Sequence, residues 1–161
     1  MKIIEKIKKL FNEKESTEVH SVRNPIVPIL TKYSNRPDIE IVAAKLGFAL
    51  KIVFADGIVA EEEKEIMKEL IENYLPELKT STPEILNAVL EINNFDLEMI
   101  YFAQAMNEKL EEVERQQFLL DLFRIARVDN EYASDEESVI RIICKYLLIN
   151  HTNFIKLRNQ S

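Results

Sequence analysis

The chain has 161 residues, 47% of them apolar, which is enough for one domain with a real core. It holds only 2 glycines and 5 prolines, where average usage would give roughly 19 of the two together, so turn-rich sandwiches, barrels and doubly wound sheets are excluded and the expected class is all-α. A net charge of −7 argues against nucleic acid as a partner, because neutralising phosphates needs clustered Lys and Arg.

In residues 2–11, Ile3, Ile4, Ile7, Leu10 and Phe11 recur at helical spacing with lysines between them, which predicts an amphipathic N-terminal helix within residues 1–13. Packing on the domain is the simplest use of its stripe, and its basic flank would also suit contact with a membrane surface. Lys6, Lys8 and Lys9 break any signal-peptide core. No window reaches the roughly 18 apolar residues of a span, and the expected location is the cytoplasm. Residues 14–37 read as a tether. Pro25, Pro28 and Pro37 interrupt any helix there, with Ile26-Val27-Pro28-Ile29-Leu30 expected as an extended stretch lying on the core.

The remaining residues, 38–161, read as one all-helical domain. Residues 38–55 are apolar almost all round and predict a central buried helix ended by Asp56-Gly57. A helix over 61–75 stops at Pro76. Thr82 before Pro83 reads as an N-cap for a helix to about residue 93, and Asp96 as the cap of one reaching about residue 110. Periodic helices follow over 113–128, 135–149 and 152–158. The expectation is a bundle of about 7–8 helices with short connections.

The usual catalytic signatures are absent. Gly47 and Gly57 lie ten residues apart, so no glycine-rich phosphate loop or nucleophile elbow can be built. Cys144 is alone, and His20 and His151 belong to no metal motif. Cys144 lies in an apolar run and reads as a buried, inert thiol. His151 reads as a local cap or pairing group, and Tyr101, Phe102 and Met106 as core.

An internal repeat carries the most information. Residues 50–75 recur at 123–148 with an offset of 73, pairing Ile52 with Ile125, Asp56 with Asp129, Ala60 with Ala133, Glu63 with Glu136 and Leu75 with Leu148. Each copy reads as helix, acidic turn, then a second helix opened by acids. The bundle is therefore expected to be built from two related helix-turn-helix halves.

The two motifs, Ala55-Asp56-Gly57 followed by Glu63 and Val128-Asp129-Asn130 followed by Glu136, resemble the paired motifs of the TerB family. That family is named from tellurite resistance, and its fold also forms the N-terminal part of DjlA-type co-chaperones. The resemblance covers about residues 38–157. It implies a helical bundle of two related halves with the acidic turns brought near each other, and it links the chain to metal binding and stress responses. Asn130 stands where glycine is usual, which asparagine's tolerance of the left-handed conformation permits. Ala60 stands where serine is common, so the first copy lacks a capping hydroxyl. No His-Pro-Asp tripeptide is present, which excludes J-domain activity.

Two readings of the acids compete. Glu61, Glu62 and Glu63 open a helix, and Ser134 with Glu137 fits a capping box, so dipole and cap effects account for much of the acidity. Asp56 and Asp129 follow helix C-termini, where negative charge is unfavourable, although an acid also suits a turn there. The metal reading takes Asp56, Glu63, Asp129 and Glu136 as ligands. An oxygen-only set suits a hard divalent cation, Ca²⁺, Mg²⁺ or Mn²⁺. An EF-hand is excluded, since the twelfth residues from Asp56 and Asp129 are Met67 and Ile140. The expected function is a non-enzymatic TerB-like stress-response module that binds a divalent ion. The alternative is a metal-free scaffold for a protein partner.

Overall fold

The computed structural model describes residues 23–128 and 134–161, so the 2–11 segment and Asp129 lie outside the described residues. Among the described residues there are eight α-helices and no strand. They are α1 (Ile26–Thr31), α2 (Ile39–Val53), α3 (Glu61–Tyr74), α4 (Thr82–Leu90), α5 (Met99–Lys109), α6 (Glu112–Arg127), α7 (Ser134–Tyr146) and α8 (His151–Gln160). Short 3₁₀ turns cover Pro76–Ser81 and Asn94–Asp96.

The hub is α2, as its all-round apolar sequence requires. It packs against α1, α3, α5, α6 and α7, and Leu46, Phe48, Leu50, Ile52 and Val53 are fully buried within it. The closest partner is α5, because Gly47 offers no side chain there. A Cβ at that position would lie 2.5 Å from the ring of Phe102. Phe102 in turn meets Phe48 edge-on with centroids 5.4 Å apart, a favoured aromatic geometry.

The repeat is structural. The pairs α2–α3 and α6–α7 are the two copies, and their second helices begin at 61 and 134, keeping the offset of 73. The pairs interlock reciprocally, α2 against α7 and α3 against α6, with α2 also touching α6. Ile52 and Ile125 are buried in one shared core, and Ile66 and Val139 pack against it. The offset fails at the far end. Leu75 is fully buried, whereas Leu148 is 68% exposed with φ +60°. Because α7 is one residue shorter than α3, Leu147 takes the buried place instead.

Three local expectations are corrected. The stretch from Ile26 lies on the core as anticipated, but it is helical, with Ile26, Val27 and Leu30 buried against α2 and α4. Pro25 is the N-cap and Pro28 falls in the first turn, where backbone N–H groups have no intrahelical acceptor and a missing one costs nothing. Thr82 does not cap. The preceding 3₁₀ turn delivers it already in helical geometry, and its hydroxyl donates to the Leu78 carbonyl at 3.4 Å. Asp96 ends a 3₁₀ turn rather than opening α5, and the side chain that organises this turn is Asn93, which accepts from the Phe95 N–H at 3.0 Å.

Candidate functional site

The first acidic turn is built by Asp56 and Gly57. Gly57 takes φ +79°, a conformation that costs other residues more. Asp56 Oδ1 accepts from the Ile58 N–H at 3.0 Å, closing an Asx turn. That bond gives the acid a structural task after a helix C-terminus and leaves its Oδ2 outside the turn. Asp56 is exposed, and so is Ile58 beside it, at 72%.

The second helix of this half opens on Glu61, Glu62 and Glu63, favourable to the helix dipole. Glu63 folds back, and its Oε1 accepts from the Ala60 N–H at 3.0 Å. Ala60 has no oxygen to return the bond, so only half of a capping box forms. Glu63 is only 2% exposed, and so is Glu136, its repeat partner at the third position of α7. Both residues interact with neighbouring groups.

Of the four acids singled out by the repeat, the structure therefore puts Glu63 and Glu136 inside and Asp56 at the surface, while Asp129 lies outside the described residues. Among the described residues no three acids, histidines or cysteines stand close enough to hold a metal ion. Asp56, Glu63 and Glu136 alone are thus not a donor set, and a site here needs a further ligand such as Asp129, which lies outside the described residues.

Among the other side chains, Cys144, Phe102 and Met106 lie where the sequence analysis expects them, whereas Tyr101 and His151 do not. Cys144 is buried, and burial pushes its thiol up to about 12 despite the opposing field of Arg141. Phe102 and Met106 are core, and Tyr101 lies half-buried under the Arg23 guanidinium at 5.2 Å. At the start of α8 the cap is Asn150, which accepts from the Asn153 N–H at 2.8 Å. His151 instead stacks near Phe154, with centroids 6.0 Å apart.

Sequence reasoning missed a cavity of about 470 Å³ between α7 and α8, lined by Arg141, Lys145 and His151 around Cys144, Ile149 and Phe154. Its signal was present as a basic pair one helical turn apart at 141 and 145, with His151 and Phe154 three apart on the next helix.

No described helix is long and apolar enough to cross a membrane. No curated protein and no solved structure matches the chain. The family model described as Tellurite resistance protein TerB matches residues 42–159, from within α2 to within α8 and across both acidic sequence motifs. With that span covering most of the two interlocked halves, the chain belongs to the TerB family.

Proposed function

We propose that this TerB-family chain is a non-enzymatic stress-response module that takes a divalent cation through Asp56, Glu63, Asp129 and Glu136. The observation that carries the reading is the matched burial of Glu63 and Glu136. Capping alone does not call for it. Glu114 occupies the same third position in α6 and bonds its own N-cap, the Glu111 N–H at 3.3 Å, yet stays exposed. Withdrawing two carboxylates at equivalent points of two interlocked halves is costly, and a cation shared with the turn aspartates would offset that cost. An all-oxygen set suits Ca²⁺, Mg²⁺ or Mn²⁺. The ion would supply charge neutralisation, and the protein's own part is to hold the acids in a folded arrangement.

A metal-free docking module is the second reading, favoured by Ile58, an apolar side chain exposed within the acidic turn itself. Thermal melting separates the two. An ion that binds only the folded state at one hundred times its Kd adds about 2.7 kcal/mol, or roughly 5 to 10 °C for a chain of this size. Wild type should melt that much higher in millimolar Ca²⁺, Mg²⁺ or Mn²⁺ than in EDTA. Asp56→Asn combined with Asp129→Asn should remove the response and melt higher than wild type in EDTA, through reduced repulsion. An equal response from the variant, or none from wild type, leaves the acids as caps and turn formers and favours docking.

A further inference from the structure

We propose that the cavity between α7 and α8 binds a small amphiphilic carboxylate of the medium-chain fatty-acid class. Its volume, about 470 Å³, falls in the range of small-molecule sites, roughly 300 to 1,000 Å³. The floor is apolar, since Cys144, Ile149 and Phe154 are each at most 5% exposed. The rim is cationic, with Arg141 and Lys145 one turn apart on α7, and the His151 ring stands beside them at the start of α8. The positive end of the α8 dipole adds the same sign.

The cations are not cancelled. Glu137 is the carboxylate that pairs with Arg141, at 3.1 Å, and it is shared with Arg158 at 3.0 Å, so one acid faces two guanidiniums. Lys145 enters no ion pair among the described residues. In a chain of net charge −7, this is a local surplus of positive charge. The Arg141 guanidinium is also held in place, lying over the Phe154 ring at 4.6 Å.

The backbone closes α7 at the same place. Leu148 adopts φ +60°, a strained conformation for a residue other than glycine. The turn it makes lets the Ile149 N–H donate to the Cys144 carbonyl at 2.9 Å and puts Ile149 into the wall. A monocarboxylate with an apolar body uses both floor and rim, whereas inorganic phosphate could use only the rim. The inference is independent of the acidic turns.

The test is titration of the full chain with decanoate, read by calorimetry and by amide chemical shifts. Saturable binding of one decanoate per chain is expected, with shifts concentrated in residues 141–154. Lys145→Glu, at an exposed position, should weaken binding about tenfold or more with melting unchanged. Decanol and inorganic phosphate should each bind at least about tenfold more weakly than decanoate. Absence of saturation, shifts centred elsewhere, an unaffected Lys145→Glu variant, or equal binding of either comparator would overturn the proposal.

Discussion

At Gly47 the missing side chain lets the Phe102 ring lie against the backbone of α2, and a methyl group there would stand 2.5 Å from the ring edge. Phe102 is fully buried and cannot swing aside. Gly47→Ala gains up to about 1 kcal/mol of helix propensity but forces overpacking that costs about 1 to 3 kcal/mol. The expected outcome is a net loss in urea unfolding, opposite in sign to the same change at an exposed helix position. Residue identity also explains how much of the candidate site could be read early. The acids and their pairing at offset 73 are plain in the sequence. Their burial was legible as well, though less directly. Glu63 heads the stripe Met67, Leu70, Ile71, and Glu136 heads Ile140, Ile143, Cys144, so each acid stands at i of an i, i+4, i+7, i+8 apolar face.

At the scale of elements, long periodic helices were legible because burial of one face fixes their period, whereas their ends depend on what precedes them. Pro28 is compatible with α1 only because it falls in the first turn, and Thr82 loses its capping role only because a 3₁₀ turn runs into α4. The slip that exchanges Leu147 for Leu148 follows from one residue fewer in α7. The junction of α7 and α8 also carries a pH dependence. Burial pushes the Glu137 carboxyl up, but its bond to Arg158 and the charge and bond of Arg141 outweigh that and hold it below its ordinary value of 4.5. A depressed carboxyl contributes stability above its unfolded value and loses it as pH falls through the folded one. The melting-temperature gap between wild type and Glu137→Gln should therefore be constant from neutral pH to about 5 and shrink below about 4.5. A gap that persists at pH 3 would assign the difference to packing.

At the scale of the molecule, α2 joins the two halves, since it contacts both helices of the second unit as well as its own partner α3. One core runs through both, and a single cooperative transition is expected. Deleting residues 1–13 should preserve that transition with a loss of at most about 3 kcal/mol, the scale of a few apolar side-chain burials. A truncated chain without cooperative melting would contradict this, and liposome binding lost on truncation would assign residues 2–11 to a membrane surface. Whether the two acidic motifs act as one site is decided by calorimetric titration with Ca²⁺, Mg²⁺ and Mn²⁺. One ion per chain is expected, with Asp56→Asn alone and Asp129→Asn alone each weakening binding about tenfold or more. Two ions per chain with each variant losing one, or affinity unchanged in both variants, would contradict it.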